Sequence, residues 1–323
     1  MTLQTLPAIV HGLRLEASNV ISIELRPVSP ETLFPVFEAG AHLDLHLPNG
    51  MVRSYSLTNP TGTPDRYVVA VLNDPKSRGG SRFVHEQLRV GTQLQISAPR
   101  NLFRLHEAAP HSFLLAGGIG ITPLYGMFQR LAQLGKSVDL MACARQRRQI
   151  AFLNEIKSLE SADRRLHLHL DEEAGGPPDL LALLGAQKPD THFYCCGPQP
   201  MLQAFEQACA TLGFKNVHVE RFSAAPAVAE PAPAQASYTV VLRKSDRTLE
   251  VSSTRPLLDS LLEAGIEAPY SCREGICGAC ETPVLEGEVN HRDSILSPGE
   301  REANRSMMLC VSHCKSGRLV LDL

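Results

Sequence analysis

Four cysteines near the C-terminus are the residues whose type and spacing indicate chemistry most strongly. Cys272, Cys277 and Cys280 lie within one short stretch, and Cys310 follows after 29 further residues. This C-x4-C-x2-C spacing with a distant fourth cysteine is typical of [2Fe-2S] ligands, because three thiolates in one tight loop can wrap one side of a two-iron cluster. Structural zinc is the alternative, but zinc sites usually pair two short cysteine knuckles, and this stretch supplies only one. The array therefore predicts that the chain handles single electrons.

The residues around the array fit a cluster-binding loop. Gly275 and Gly278 lie among the first three cysteines, where backbone N–H groups that turn inward toward sulfide leave little room for side chains. We expect Cys310 to be presented by a distant strand, residues 307–311. Cys314 follows four residues later, and we interpret it as a bystander rather than a ligand.

A glycine-rich stretch in the middle of the chain is the second candidate site. Gly117, Gly118 and Gly120 follow a predicted strand, and Thr122 and Pro123 open a predicted helix. Such a loop lets the phosphates of a nucleotide approach the backbone and the first N–H groups of the helix. By itself the loop is weak evidence for a nucleotide site. Pro123 occupies the third glycine position of the dinucleotide fingerprint, and a tight structural turn would need glycines too.

A later segment strengthens the nucleotide hypothesis. Another predicted strand of the same region, residues 191–196, ends at Cys196 and is followed by Gly197 and Pro198. The carboxyl ends of parallel strands share the sheet edge at which such folds bind ligands. We therefore expect these residues to meet the glycine-rich loop there.

Two segments near residues 53 and 80 could serve a phosphorylated flat ligand. Arg53, Tyr55 and Ser56 end a predicted strand and offer a cation, an aromatic face and a hydroxyl. Residues 79–81 (Gly-Gly-Ser) precede a predicted helix, which is another place for phosphate. An exposed strand end and an ordinary glycine turn remain the alternatives.

The elements that must position these residues change character along the chain, which predicts a multidomain protein. Residues 1–105 form short alternating strands, which indicates a small antiparallel β-barrel. Residues 106–223 alternate buried strands with helices, which predicts an α/β domain with a doubly wound parallel sheet. Residues 224–236 are a Pro/Ala-rich linker, and residues 237–323 open with a hairpin and a short helix that fit an α+β β-grasp fold.

Composition excludes several classes of protein. Of 323 residues, 43% are hydrophobic and 20% charged, and no run reaches the roughly 18 apolar residues of a membrane span. The net charge of −3 gives no reason to expect nucleic acid as a partner. Nine cysteines are an odd number, and a cluster needs its thiolates kept reduced, so we expect a cytoplasmic protein.

The acidic excess lies entirely in residues 237–323, which hold 10 basic and 13 acidic residues. An acidic face there would steer a basic docking site toward the cluster, although a generally solvated acidic surface is an equal explanation.

One polar pattern indicates structure rather than function. His42, Asp44 and His46 share one face of a predicted strand and could suggest a metal site. We interpret them as an exposed face of the barrel.

The motifs, taken in order, resemble one protein family. Arg-x-Tyr-Ser at 53–56, Gly-Gly-Ile-Gly-Ile-Thr-Pro at 117–123, Cys-Gly-Pro at 196–198 and the cysteine array occur in the order of the phthalate dioxygenase reductases, a family that includes the vanillate demethylase reductases. The resemblance covers essentially the whole chain. The first two motifs alone would indicate only the wider ferredoxin-reductase superfamily.

The resemblance implies an FMN-binding barrel domain (1–105), an NAD-binding domain (106–223) and a plant-type [2Fe-2S] ferredoxin domain (237–323). The FMN phosphate would lie at Arg53 and residues 79–81, with the flavin ring beside Tyr55 and Ser56. The implied cofactor-binding residues are Arg53, Tyr55, Ser56, Gly79, Gly80, Ser81, Gly117, Gly118, Gly120, Thr122, Pro123, Asp171, Cys196, Gly197, Pro198 and Phe222. Those implied to act at the reacting rings are Ser56, Cys196 and Phe222, and the implied cluster ligands are Cys272, Cys277, Cys280 and Cys310.

Two cofactor choices rest on the resemblance more than on the residues. No motif measures the length of the flavin ligand, so FMN rather than FAD follows from the family. Asp171 ends a predicted strand and could accept a ribose hydroxyl of NADH, whereas Arg145, Arg147 and Arg148 could meet the 2′-phosphate of NADPH. We expect NADH.

The function that the resemblance implies is an oxygenase reductase component. Electrons would pass from NADH through FMN and the cluster to a terminal oxygenase of the Rieske type, which acts on an aromatic or similar small molecule. A reductase for a haem monooxygenase is one alternative, and a non-catalytic flavin and iron-sulfur redox sensor is another. A free flavin reductase would leave the cysteine array unexplained.

Overall fold

A computed structural model describes residues 5–223 and 237–323 of the chain. These residues fall into two compact units, Thr5–Glu220 and Arg221–Leu323, and each unit is described by itself. The predicted linker, residues 224–236, lies outside the described residues. Across the described ranges, no helix has the length and apolar character needed to cross a membrane.

The first unit begins with an antiparallel barrel. Its strands are β1 (Thr5–Ala17), β2 (Val20–Pro27), β3 (His42–His46), β4 (Val52–Ser56), β5 (Tyr67–Leu72) and β6 (Gln93–Ser97), and helix α1 (Gly80–Glu86) lies between the last two. They pair in the order β4-β3-β6-β1-β2-β5. The two end strands are joined by a bridge between Leu57 and Val69, so the sheet closes on itself.

Alternating side chains fill the interior of this barrel. Ile23, Leu25, Leu43, Leu45 and Val69 are fully buried, which is the period-two pattern expected of strands with one face in a core. The predicted barrel is confirmed.

The face of β3 that we expected to be exposed is buried, so that prediction was wrong. Asp44 is 0% exposed, and its carboxylate accepts hydrogen bonds from Arg100 Nη2 at 2.8 Å and Ser54 Oγ at 2.6 Å. The physical reason is that Arg100, which forms a bridge with His42, places its guanidinium against the Asp44 carboxylate on this face. Asp44 therefore serves a buried ion pair.

The rest of the first unit is a parallel sheet with helices on both faces. Its elements are β7 (Ser112–Gly117), α2 (Ile121–Gln133), β8 (Val138–Ala144), α3 (Leu153–Ser158), β9 (Arg164–Leu170), α4 (Asp171–Ala174), α5 (Leu180–Gly185), β10 (His192–Cys196), α6 (Gln199–Leu212) and β11 (Val217–Glu220). The strand order is β11-β10-β7-β8-β9, so the direction of winding reverses between β7 and β10. Such a switch point opens a crevice at the carboxyl edge of a sheet.

The second unit has the predicted β-grasp character. Its elements are β12 (Ser237–Leu242), β13 (Arg247–Ser252), α7 (Leu257–Glu263), β14 (Glu281–Glu286), β15 (Val289–Asn290), α8 (Pro298–Ala303), β16 (Ser306–Met308), β17 (His313–Cys314) and β18 (Arg318–Leu321). The sheet runs β13-β12-β18-β14-β16, with β12 and β18 parallel. Leu257, Leu258 and Leu261 of α7 are buried against it.

One predicted strand is shorter than expected. Strand β16 ends at Met308, so Cys310 lies in the turn that follows rather than on the strand. Val311 N and Ser312 N donate to Met308 O, which tightens this turn and buries the Cys310 side chain.

Candidate functional site

The structure brings the four cysteines of the array together. Cys277, Cys280 and Cys310 are buried, with exposures of 2, 3 and 5%, whereas Cys272 is partly exposed. Sγ of Cys280 lies 3.3 Å from Sγ of Cys310. Residues 272–280 thus contribute three thiols, and the turn after β16 contributes the fourth.

The electrostatics of the thiols fit a thiolate-binding group. Hydrogen bonds from the Cys277 and Cys310 thiols lower the pKa of Cys272 to about 2, and the Cys310 thiol lowers the pKa of Cys280. The pKa values of Cys277 and Cys310 are raised, chiefly by the same neighbours. Cys272 and Cys280 thus favour the thiolate while their neighbours keep their protons, which reflects how closely the four sulfurs lie, and a bound cluster would need all four deprotonated.

Backbone N–H groups also point at the sulfurs. Glu274 N donates to Cys272 Sγ at 3.3 Å, and Cys272 N donates to Cys277 Sγ at 3.5 Å. Such donors are the usual outer shell of iron-sulfur ligands.

Glycine is required within the ligand loop for a steric reason. Gly275 has φ +69°, and a Cβ there would lie 2.7 Å from Cγ2 of Val311 and 3.0 Å from Cα of Asp293. Gly278 also has positive φ, at +70°. The left-handed backbone brings the ligand loop against the segment that carries Cys310. Among the described residues, no group of three or more His, Cys, Asp or Glu converges on a single metal ion, whereas a two-iron cluster would share the four cysteines between two irons.

At the carboxyl edge of the parallel sheet, the two predicted loops touch. A Cβ at Gly120 would lie 2.1 Å from the carbonyl oxygen of Cys196, and a Cβ at Gly117 would lie 2.7 Å from Pro198 Cδ. A Cβ at Gly197 would likewise lie 3.1 Å from Gly117 Cα. Gly118, with φ +54°, has open space where its side chain would be. The glycines at 117, 120 and 197 are therefore explained by loop packing, and Gly118 leaves room for a ligand.

The neighbouring predicted residues occupy the same edge. Thr122 is buried and donates its hydroxyl to Ile119 O at 3.0 Å, and Pro123 is buried in the first turn of α2. Asp171 follows β9 directly and is partly exposed, with its Oδ1 3.5 Å from His169 Nε2. Its position beyond the end of a parallel strand suits a contact with a ribose.

On the barrel, Arg53 and residues 79–81 lie next to each other. A Cβ at Gly80 would lie 2.7 Å from Arg53 Nε, and Gly79 has φ +105° at the start of α1. The Arg53 cation thus lies beside the first N–H groups of α1, an arrangement that suits an anion.

Tyr55 and Ser56 end the same barrel strand. The Ser56 hydroxyl is buried with no hydrogen-bond partner within the described residues. Burial raises the pKa of Tyr55 to about 12, against a smaller opposite effect of Arg53. Because buried hydroxyls normally find partners, the orphaned Ser56 Oγ fits a ligand that supplies one.

Glu220 lies at the same sheet edge and was not among the predicted site residues. It pairs in register with Cys196, and its Oε2 is buried without a hydrogen-bond partner in the described part of the chain. Burial raises the pKa of Glu220 to about 8. Burial, and then the Glu220 carboxyl, raise the pKa of Cys196 well above its ordinary value. The signal that could have found Glu220 is an acidic residue at the carboxyl end of a sheet strand.

Phe222 lies just beyond the first unit and is 41% exposed. Its predicted place over a flavin ring stays a prediction.

A cavity of about 400 Å³ lies away from these residues, between the barrel and helices α2 and α3. Its lining includes Arg14, Glu16, Tyr125, Gln129 and Phe152, and none of the predicted site residues. The predicted site residues lie instead on the barrel, at the sheet edge and in the ligand loop.

Two parts of the chain match known protein families. Residues 114–207 match the family described as an oxidoreductase NAD-binding domain. Residues 240–315 match the 2Fe-2S iron-sulfur cluster binding domain.

Whole-chain similarities extend over both units. The chain is 48% identical over 319 residues to the putative toluene-4-sulfonate monooxygenase system reductase subunit of Comamonas testosteroni, with 98% of each chain covered. It is similar to the solved structure of phthalate dioxygenase reductase, with 34% identity, a TM-score of 0.70, and coverage of 99% of this chain and 98% of that one. It also matches an intact type IV self-sufficient cytochrome P450 monooxygenase, with 36% identity, a TM-score of 0.89, and coverage of 99% of this chain and 41% of that one.

Proposed function

Since the chain belongs to the phthalate dioxygenase reductase family, we propose that it is the reductase component of a Rieske-type oxygenase system. Electrons pass from NADH through FMN and a [2Fe-2S] cluster to a separate terminal oxygenase that acts on an aromatic or similar small molecule. The protein works in the cytoplasm, where its thiols stay reduced. We refer to Thr5–Glu220 as the flavin–nucleotide unit and to Arg221–Leu323 as the ferredoxin unit.

One observation carries the proposal. A sheet edge of nucleotide-binding type and a gathered set of four cysteines occur in one chain, and each lies within the matching family region. A protein that only reduced free flavin would have no use for the cysteines. A relay that divides an electron pair needs both.

Each predicted residue has a role in this proposal. Arg53, Gly79, Gly80 and Ser81 hold the FMN phosphate, while Tyr55 and Ser56 flank the flavin ring and Phe222 covers it. The nucleotide edge consists of Gly117, Gly118, Gly120, Thr122, Pro123, Asp171, Cys196, Gly197 and Pro198. Cys272, Cys277, Cys280 and Cys310 are the cluster ligands.

The chain supplies geometry and electrostatics rather than acid–base chemistry. Bound FMN accepts a hydride, and the bound cluster carries one electron at a time. The Ser56 hydroxyl is held in a buried position where it can hydrogen-bond a ring, and the packed glycines at 117 and 120 fix the edge on which the nucleotide lies. Asp171 selects NADH because its carboxylate accepts a ribose hydroxyl and repels a 2′-phosphate.

A second acceptor is favoured by one specific observation. The P450 structure that matches the chain contains a region like this one within a longer chain. Electron delivery to a haem monooxygenase is therefore the alternative function.

The experiment has a cofactor part and an acceptor part. The purified protein is expected to release FMN, to contain two irons per chain, and to give the electron paramagnetic resonance signal of a reduced [2Fe-2S] cluster with NADH but poorly with NADPH. Asp171→Asn should narrow the difference between the two nucleotides, whereas the exposed Glu173→Gln should not. Zinc in place of iron, or no reduction by either nucleotide, would overturn the proposal.

The acceptor part compares two purified partners, a Rieske-type oxygenase and a haem monooxygenase. NADH oxidation coupled to product formation is expected with the first. Coupling with the haem protein alone would replace the proposed function by the alternative.

A further inference from the structure

A buried aspartate lies behind the ligand loop, outside the ligand set. Asp293 is 3% exposed, and its Cα would lie 3.0 Å from a Cβ at Gly275. The next amide, Ser294 N–H, donates a hydrogen bond of 2.9 Å to Gly275 O. The segment that begins at Asp293 therefore holds the loop between Cys272 and Cys277.

The carboxylate of Asp293 orders this segment. Its Oδ2 accepts hydrogen bonds from Leu296 N at 2.8 Å and from Ile295 N at 3.1 Å. Arg301 on α8 donates to the main-chain oxygen of Asp293, and its Nη2 lies 3.7 Å from Oδ2. Contacts thus run from α8 through Asp293 to Gly275 in the ligand loop.

The charge of Asp293 is only partly compensated. Its Oδ1 is buried and has no hydrogen-bond partner in the part of the chain that the structure describes, with His291 Nδ1 3.7 Å away. A carboxylate removed from water acts on nearby charges more strongly than one on the surface. A reduced cluster carries one more negative charge than an oxidised one, so a neighbouring carboxylate opposes its reduction.

We propose that Asp293 is a positioning residue for the iron-sulfur cluster. Asp293 fixes the ligand loop through Gly275, and its negative charge lowers the reduction potential of the cluster. This inference rests on the proposed function, because it takes the four cysteines of the array as ligands. Arg301 acts in the same network with the opposite charge.

The first test separates charge from geometry with Asp293→Asn. An asparagine oxygen can accept the same two backbone N–H bonds without the charge. The iron content and the shape of the electron paramagnetic resonance signal should stay as in the wild type, while the midpoint potential of the cluster rises. We expect roughly a tenfold increase in the reduced-to-oxidised ratio at a fixed potential, which is about 59 mV for one electron. The matched control is Asp246→Asn, in the exposed turn between β12 and β13, which should leave the potential unchanged.

The second test uses Arg301→Met, which removes the opposite charge. The midpoint potential should fall, and the electron paramagnetic resonance signal should broaden because the main-chain oxygen of Asp293 loses the guanidinium that donates to it. Asp293→Ala removes both acceptor bonds and should speed the loss of iron to a chelator. If this variant does not accumulate, the Asn and Met variants decide the question through their opposite shifts.

The outcomes distinguish this inference from the function on which it rests. If the midpoint potentials of Asp293→Asn and Arg301→Met shifted in the same direction, or equalled that of the wild type, the role of Asp293 would be overturned. The proposed electron transfer from NADH to the cluster would stand. A wild-type protein with no [2Fe-2S] signal would instead overturn the proposed function.

Discussion

The proposed sites of the ferredoxin unit and the flavin–nucleotide unit are assembled in different ways. In the ferredoxin unit, three of the four cysteines come from residues 272–280, and a single turn adds Cys310. In the flavin–nucleotide unit, the site residues come from β4, α1, β7 and β10, which are far apart in sequence. The first site depends on the shape of one loop, whereas the second depends on the packing of the whole unit.

Glycine serves these two designs for different reasons. Gly275 has a left-handed backbone at φ +69°, which most side chains avoid. Gly120 has an ordinary φ of −61°, yet a Cβ there would lie 2.1 Å from the Cys196 oxygen. Conformation fixes the first glycine and close approach fixes the second. Substitutions at the two positions should therefore damage different cofactor sites.

Exchanging these glycines for alanine gives the largest expected effects. Gly120→Ala must push β10 away from the nucleotide edge, so we expect kcat/KM for NADH to fall about 100-fold in a ferricyanide assay, with the iron content kept. Gly275→Ala should do the reverse: the cluster is lost, while NADH still reduces the flavin. Both readouts are made on each purified variant.

Gly213→Ala is the matched control for the glycine pair. Gly213 has φ +74° at the end of α6, with nothing within 4 Å of its missing side chain. It should cost about 1 kcal/mol of stability and leave both sites working. Loss of both cofactor functions in either site variant would show that the two sites are not independent.

The difference between the units also explains what the sequence could predict. The four cysteines were predicted as a set because three of them share one short loop and the fourth follows at a characteristic separation. The parallel sheet was predicted because strands alternate with helices along residues 106–223. Strand β1, Thr5–Ala17, is longer than the short strands expected in residues 1–105, because register shifts near Gly12 and Ala17 interrupt the alternation that would have indicated its length. Burial of Asp44 was missed because its partner Arg100 is 56 residues away. Contacts of that range are set by tertiary packing, which no local pattern records.

Two acids with a buried carboxylate oxygen, Asp293 and Glu220, sharpen the comparison. Asp293 has backbone N–H donors, whereas Oε2 of Glu220 has no partner within the described residues. Burial raises the pKa of Glu220 from 4.5 to about 8, so the folded protein holds a proton that the unfolded chain releases between those pH values. The free energy of unfolding should therefore fall as pH rises from about 4.5 to 8.

Glu220→Gln should remove that pH dependence. Between pH 5.5 and 8.5, we expect the wild type to lose about 2 kcal/mol relative to the variant in urea unfolding, less than the full shift would give because Glu220 is partly exposed. The exposed Glu173→Gln should follow the wild type at both pH values. Parallel curves for wild type and Glu220→Gln would mean that Glu220 is ionised in the folded protein.

The orphaned hydroxyl of Ser56 tests the distributed site at a single atom. Ser56→Ala removes no hydrogen bond within the described residues, so unfolding without flavin should change little. If the hydroxyl binds the flavin ring, reduction of bound flavin by NADH should slow about tenfold in stopped-flow measurements, or about 1.4 kcal/mol. Ser56→Thr keeps a hydroxyl and should recover part of the rate. A fast Ser56→Ala variant would contradict a role for this atom at the ring.

The smallest expected effect lies at the junction of barrel and sheet. Arg14 of β1 pairs with Glu155 of α3, but its side chain is 65% exposed, so water screens the interaction. Arg14→Ala should cost about 0.5 kcal/mol in urea unfolding at low salt, and less at high salt. Arg26→Ala is the matched control, because Arg26 pairs with Glu24 within one strand of the barrel. A loss well above that of the control, unchanged by salt, would mean that the flavin–nucleotide unit depends on this one contact rather than on its buried core.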